Sequence, residues 1–389
     1  MEKLKLNNIC NIQAGGTPAR KNKDFWENGN INWCKISDLK GKYISYTEEK
    51  ITKKGLDKSS AKLFKKDTIL YTIFATIGEV SILNVDSATN QAIAGLEIIN
   101  DMVNKEYLYY YLKSKKEEMV KLSRGVAQNN INLAILKELE INVPDMKIQE
   151  EIVNKLNKIE KLVDIEKEQK YLFEDLINSK FIEMFGNPNS NNKNFKKVRL
   201  RECLINIDNG KSFVCENFSR DNDYPAILKL SAVTYGYYNQ EENKALIDKE
   251  MYIPSVEVKK GDLLFTRKNT PELVGMSAYV YDTLPNLMLP DLIFRLNTTK
   301  ECNKIFLWKL INHKMFRKNI TQISNGSAKS MSNISKERLM DLEIILPPIE
   351  LQNKFADFIE KIEKQRKQID KNLKEVETLK NGMMNKYFN

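Results

Sequence analysis

One pattern occurs twice in this chain. Leu139-Glu140-Ile141-Asn142-Val143-Pro144 returns as Leu342-Glu343-Ile344-Ile345-Leu346-Pro347, and each copy runs directly into a Gln-bearing amphipathic helix. From Pro144 to Pro347 the offset is 203 residues, and the same offset carries Gln149 onto Gln352 and Ile131 onto Ile334. A period near half of the 389 residues predicts two similar domains, and therefore two similar working surfaces.

Other segments repeat in the same order with looser spacing. Ile12-Gln13-Ala14-Gly15-Gly16-Thr17-Pro18 is matched by Ile207-Asp208-Asn209-Gly210-Lys211, Lys35-Ile36-Ser37 by Lys229-Leu230-Ser231, and Lys66-Asp67-Thr68-Ile69 by Gly261-Asp262-Leu263-Leu264. Shifting offsets with retained order are what diverging loops on a common frame produce. Short β-branched and aromatic runs, broken by Gly, Asn and Asp, alternate with helical stretches around Lys105 to Leu122 and Cys302 to Ile320. Each half therefore reads as a compact α/β domain whose sheet is neither long nor purely parallel. The expected division is a globular domain over 1–145, a central spacer helix over 146–187, a second globular domain over 188–348 and a C-terminal spacer helix over 349–389.

The helices carry narrow apolar stripes. In the first, Ile152, Leu156, Ile159, Val163, Phe173, Ile177 and Met184 lie at helical spacing; in the second, Phe355, Ile362, Ile369, Val376 and Met383 are seven apart, with Ile359 and Leu373 beside them. A stripe this narrow on a charged helix predicts a partner helix, here the other copy running antiparallel as a coiled coil. Pro144 and Pro347-Pro348 favour sharp entry, and Gly186 a stop. Glu166, Lys170, Arg366 and Lys380 interrupt the stripe, either to set register by cross-helix pairing or to mark where the helices part. Leu172, Leu176, Phe181, Phe185, Leu379, Met384 and Phe388 widen it, either for a second protein or for burial against the chain's own globules.

Charge and missing chemistry narrow the function. The 62 Lys and Arg against 52 Asp and Glu give a formal charge of +10, which favours a polyanionic partner. Cys10, Cys34, Cys203, Cys215 and Cys302 form no CxxC motif and are odd in number, as in a reducing compartment. With no signal peptide and no apolar run of spanning length, a soluble cytoplasmic protein without membrane partners is expected. His313 is the only histidine, five scattered cysteines assemble no zinc site, and Gly15-Gly16 precedes Thr17-Pro18 in place of a phosphate-loop Lys. Pro144-Asp145 and Glu168-Gln169-Lys170 have the residue types of a nuclease motif, but some six helical turns separate them, too far to share a magnesium ion. The chain is expected to direct chemistry and to bind no cofactor or metal itself.

Duplex recognition needs phosphate anchors and side chains that meet base edges. The first half offers Thr17, Arg20, Lys21, Lys23, Lys35 and Ser37, then Arg124 for guanine and Gln128, Asn129 and Asn130 for adenine. The second offers Lys211, Ser212, Lys229, Arg267, Lys268 and Asn269, then Ser327, Lys329 and Ser330. Similar locations with unlike chemistry would read two unlike half-sites. The plainer reading makes Ser123-Arg124-Gly125 and Ser324-Asn325-Gly326 helix-capping turns with polar groups in water. Trp26, Trp33, Tyr71, Tyr235 and Tyr237 read as core or sheet-face residues before base stackers.

Taken in order, these segments resemble a Type I restriction-modification specificity subunit over nearly the whole chain. The resemblance rests on Gly15-Gly16-Thr17-Pro18, Trp33 to Asp38, Gly78 followed by Asn90-Gln91-Ala92-Ile93, Gly125 to Ile131, and Leu139 to Pro144 entering Gln149; Gly326 to Ser330 and Leu342 to Pro348 with Gln352 repeat it. The second half departs at Gly210-Lys211-Ser212 and at Pro290-Asp291-Leu292-Ile293. The resemblance implies two target recognition domains, each binding one part of an interrupted double-stranded DNA site, held at a fixed separation by antiparallel helices. It further implies two modification subunits that methylate adenine from S-adenosylmethionine, and restriction subunits, where present, that use ATP and magnesium. The chain itself would be non-catalytic. A non-catalytic protein–protein adaptor with paired repeat domains, or a fragment of a fused modification-restriction enzyme, are the alternatives.

Overall fold

The computed structural model describes residues 2–124, 131–220, 224–246, 248–325 and 331–388. The chain divides into two units, Met1–Lys167 with Asp370–Asn389, and Glu168–Ile369.

In the first unit, Glu2–Lys5 pairs antiparallel with Glu140–Val143, closing the globule just before the long helix begins. A five-stranded sheet runs in the order Cys10–Ala14, Ile93–Ile98, Ile69–Thr72, Val80–Leu83, Tyr43–Ile44, with the last pair parallel. A second sheet orders Glu49–Ile51, Ile31–Cys34, Ser87–Thr89 and Leu63–Phe64, and its central pair is parallel. Ile69, Leu70 and Tyr71 are all fully buried, so this central strand has no solvent face and reads as a continuous apolar run. The helix Lys105–Ser114 packs Tyr107, Leu108, Tyr110, Tyr111 and Leu112 inward. Its Tyr107 and Tyr111 hydroxyls donate to the carbonyls of Asn142 and Glu140, each at 2.8 Å, which satisfies their polar tips and ties the helix to the closing strand.

The second unit repeats the plan. Lys196–Arg199 pairs with Glu343–Leu346 as the closing ladder. Leu204–Asn209, Ile293–Thr298, Leu263–Thr266 and Ser277–Tyr279 form one sheet; Asn243–Ala245, Ala226–Leu228 and Leu287–Met288 form another, again with a parallel pair. Lys304–Asn312 takes the place of the Tyr-rich helix. The expectation of short, mixed sheets holds in both units.

The long helices are continuous over Met146–Phe185 and Ile349–Phe388. Gly186, at φ +71°, ends the first; its N–H returns to the Ile182 carbonyl at 2.8 Å, and a Cβ there would lie 2.1 Å from the Asn192 side chain. Within each unit the two helices pair antiparallel through polar groups. In the first, Lys380 Nζ lies 2.8 Å from Glu160, and the Asn372 amide donates to Glu166 at 3.0 Å. In the second, Arg366 pairs with Glu174. As one residue number falls the other rises, which defines the antiparallel register. Three of the four interrupting residues, Glu166, Arg366 and Lys380, therefore set register by cross-helix pairing.

Of the stripe, Ile152, Leu156, Ile159, Phe355, Ile362 and Ile369 are buried, while Val163, Phe173, Leu373 and Val376 are half-buried. The widening residues divide. Phe181 and Phe185 are fully buried against Phe306 and Phe355, with ring centroids 4.9–6.1 Å apart, and each contributes roughly 2–3 kcal/mol of apolar burial. Met384 and Phe388 join the first unit's core, where Phe388 meets Tyr107. Leu172, Leu176 and Leu379 stay about half exposed. Among the described residues no helix is long and apolar enough to cross a membrane.

Candidate nucleic-acid interface

Four chain segments meet beside the central strand of each unit, and backbone bonds put them in one-to-one correspondence. In the first unit Ile73 donates its N–H to the Ala92 carbonyl at 2.8 Å and accepts from Ile131 at 3.0 Å. In the second, Arg267 donates to Leu292 at 3.0 Å and accepts from Ile334 at 2.8 Å. Both loops close in the same way, Gly78 N–H to Thr72 O and Gly275 N–H to Thr266 O. Position 73 thus corresponds to 267. Five residues lie between the closing pair in the first unit, Ile73 to Ile77, and eight in the second, Arg267 to Val274.

The glycine loops form the opposite wall. Gly15 and Gly16 donate to the carbonyls of Ile93 and Thr89, and a Cβ on either would fall within 2.4 Å of backbone at Thr89 or Ser60. At Gly210 a Cβ would lie 2.0 Å from the Pro290 carbonyl. These glycines are required by the close crossing of two chains, without reference to a bound phosphate. Thr17 follows and hydrogen-bonds Gln91; in the second unit Lys211 takes the place of Gly16, its N–H on the Leu289 carbonyl at 3.0 Å, and Ser212 that of Thr17.

The cations of the two units are held differently. Arg20 lies 3.8 Å over the Trp26 ring and 4.7 Å from Trp33, and pairs with Glu49. Lys35 bridges Glu48 at 2.7 Å and Glu49 at 3.2 Å. These bonds push the Lys35 ammonium above its ordinary pKa and hold the Glu49 carboxyl below its own, Arg20 being the larger influence on Glu49. Contact with phosphate would exchange one anion for another. Lys23 pairs with Glu27 at 3.4 Å, while Lys21 and Ser37 are exposed. In the second unit Lys229 reaches Glu242 at 3.7 Å, and Lys211 and Ser212 are exposed. Arg267 lies over Phe294, and its Nε donates to the Asn333 side-chain oxygen Oδ1 at 3.4 Å. Among the described residues neither Arg267 nor Lys268 has a carboxylate partner.

Asn269 is only 6% exposed; its amide donates to Thr234 at 3.0 Å and its carbonyl accepts from the Thr270 N–H at 2.8 Å, so it anchors the loop from within. Gln128, Asn129, Asn130, Ser327, Lys329 and Ser330, and the side chain of Arg124, lie outside the described residues. Trp33 and Tyr71 are core residues, and the Trp33 indole donates to the Gly16 carbonyl at 3.1 Å. Tyr237 is half-buried over Lys309 and Arg366, whereas Tyr235 is exposed. His313 caps the helix Lys304–Asn312 and stacks on Phe181 at 4.7 Å; burial lowers its pKa to about 4, so it is a neutral packing residue at ordinary pH. Among the described residues no group of three or more His, Cys, Asp and Glu could hold a metal ion.

Sequence reasoning did not single out Phe74. It stands next to Ile73, is 38% exposed, and precedes Ala75, whose backbone takes the left-handed conformation at φ +59°. An apolar residue at a strand end reads as core, so only the match of Thr72 and Gly78 to Thr266 and Gly275 could have singled it out.

Known proteins share this duplicated plan. The family model described as the Type I restriction modification DNA specificity domain matches residues 1–172 and 192–378. The chain belongs to that family. Its members supply DNA specificity and not catalysis. The Type I restriction enzyme MjaIX specificity subunit of Methanocaldococcus jannaschii is 34% identical over 188 residues, 47% of this chain and 42% of that protein, so the chain spans less than half the length of this curated relative. The MjaVIII specificity subunit of the same organism is 22% identical over 376 residues, 88% of this chain and 86% of that protein. A Type-I restriction-modification system S subunit from M. genitalium, a crystal structure, has a similar fold at 16% identity, with a TM-score of 0.59 over 100% of this chain and 96% of that one. The specificity subunit is accordingly a mixed α/β protein with two β-rich units and two paired long helices.

Proposed function

We propose that this specificity subunit reads a bipartite double-stranded DNA site, one part with each unit, and delivers it to two modification subunits. The observation that carries this is the four-segment crossing built twice on the same backbone bonds with different side chains: Thr17, Gln91, Ile73 and Phe74 in one unit, Ser212, Asp291, Arg267 and Lys268 in the other. A common frame with unlike contact groups is what reading two unlike half-sites requires. Thr17, Arg20, Lys21, Lys23, Lys35 and Ser37 then serve the first half-site, with Arg124, Gln128, Asn129 and Asn130. Lys211, Ser212, Lys229, Arg267 and Lys268 serve the second, with Ser327, Lys329 and Ser330. The excess of ten positive charges supplies the salt-dependent share of affinity.

Catalysis belongs to the partners in this reading. Modification subunits bring S-adenosylmethionine and methylate adenine; restriction subunits, where added, bring ATP and magnesium. The assembly works in the cytoplasm, on chromosomal or invading DNA. The domains 1–145 and 188–348 act as target recognition domains, and 146–187 and 349–389 as their spacer helices. Methylome sequencing of a host expressing the chain with a modification subunit, beside a host lacking the chain, tests this. A two-part methylated motif that appears only with the chain is expected. No new methylation, with both proteins folded and associated, would contradict it and favour the adaptor reading.

A further inference from the structure

We propose that the position just after the central strand, Phe74 in the first unit and Lys268 in the second, is a specificity determinant: the first unit takes a thymine methyl group there and the second a guanine edge. This rests on the reading that each unit binds duplex DNA, and goes beyond it by assigning a base class to a residue.

The equivalence of the two positions comes from backbone bonds and does not depend on sequence alignment. Ile73 and Arg267 make the same pair of bonds, to Ala92 and Ile131 in one unit and to Leu292 and Ile334 in the other, so the residues that follow them leave the sheet at the same place. In the first unit that place adjoins the Asn90-to-Ala92 turn, whose Gln91 holds Thr17. In the second, Lys268 and Asn269 are pinned by pairing with Ser332 and Asn333 and by the buried Asn269–Thr234 bond. Both loops are therefore set in position before any ligand arrives, which is the condition for discrimination at a single contact.

The two side chains offer opposite chemistry. Phe74 is 38% exposed, and the residue after it, Ala75, carries a φ of +59° that an L side chain adopts only at a conformational cost. A strained turn that holds an aromatic ring at the surface fits a partner with an apolar spot. In the major groove that spot is the C5 methyl of thymine. Lys268 and its neighbour Arg267 have no carboxylate partner among the described residues, whereas Arg20, Lys23 and Lys35 of the first unit each have one. Cations left without an internal anion suit the paired O6 and N7 acceptors of guanine.

The test uses the full chain assembled with its modification subunits, selecting from duplex libraries with both half-sites randomised. Wild type is compared with F74K, F74A, K268F and K268A; both side chains are at least partly exposed, and circular dichroism checks that each variant folds. The two Phe74 variants are expected to lose about tenfold in discrimination at one A·T pair of one half-site and to leave the other half-site unchanged. The two Lys268 variants are expected to do the converse at one G·C pair. Unchanged preference in both half-sites, a simultaneous change in both, or a uniform loss of affinity with preference intact would each overturn the assignment. A wild-type chain that returns no two-part motif would instead remove the DNA reading beneath it.

Discussion

Gln149 and Gln352 make the same three hydrogen bonds, yet the loops beside the central strands share almost nothing in side-chain chemistry. Gln149 accepts from the Asn104 N–H at 2.8 Å and donates to the Met102 and Pro144 carbonyls, each at 2.7 Å. Gln352 accepts from Asn303 at 2.9 Å and donates to Glu301 at 3.0 Å and Pro347 at 2.7 Å. Both side chains are fully buried, and each locks the start of a long helix to the N-cap of the globule's own helix. No apolar residue can serve three backbone groups at once, one of them, the Pro144 or Pro347 carbonyl, in a buried bond, so the position admits little change. At Phe74 and Lys268 solvent satisfies whatever the side chain leaves open, and the two units are free to differ. In the proposed reading, this contrast separates the frame from the loops that meet DNA.

The largest expected effect sharpens that contrast. Gln149→Leu and Gln352→Leu should each cost about 3 kcal/mol, by stranding a partly buried N–H and two carbonyls, one of them in a buried bond. Urea unfolding followed by hydrogen exchange in each unit reads it. Losses of similar size in the two units support an equivalent frame; a loss below about 0.5 kcal/mol in either would break the equivalence.

Acid separates the units next. His313 in the second unit has a folded pKa lowered to about 4 by burial, with Lys314 adding to it. Its contribution is full above about 6.5 and is lost as pH falls from there through 4. In the first unit burial alone would raise the Glu160 pKa, but Lys113, Lys380 and the Tyr110 hydroxyl outweigh it and bring the carboxyl to about 2. That contribution is full above about 4.5 and is lost as pH falls towards 2. Each is on the order of 3 kcal/mol, since one pKa unit corresponds to about 1.4 kcal/mol. Amide protection should therefore fall in the second unit before the first. His313→Asn should remove the earlier loss, and Glu160→Gln the later one. Simultaneous loss in both units at all pH values would contradict this order.

The smallest effect lies on the surface. Arg20→Ala should change stability by less than about 1 kcal/mol, because its pair with Glu49 is about half exposed. Its effect on DNA binding should show instead in the salt dependence, with a slope shallower by about one counterion. An unchanged slope would leave Arg20 a stacking partner of Trp26 alone.

Much of the frame was legible in the sequence. The duplicated Leu-Glu-Ile segment with its following Gln marked both helix entries, and the seven-residue stripe from Phe355 to Ile369 marked the helix-facing side. The residues that interrupt the stripe were visible too. Their partners were not, because Glu160 and Glu174 sit among many exposed acids, and only the antiparallel register selects them. Side-chain type did not show that the Asn269 amide turns inward to Thr234. The match of Ile73 to Arg267 was hidden because the offset drifts along the halves, from 194 at Ile73 and Arg267 through 197 at Gly78 and Gly275, after the longer second loop, to 203 at Ile131 and Ile334. Hydrogen bonds define that equivalence where spacing cannot.

Independent reading by two equivalent frames is the central claim, and exchange of residues 1–143 for the corresponding domain of a relative with a different site tests it most directly. Methylome sequencing of hosts carrying the exchanged chain with the same modification subunit should show one half-site replaced and the other unchanged. Replacement of both half-sites, or of neither while methylation continues, would contradict it.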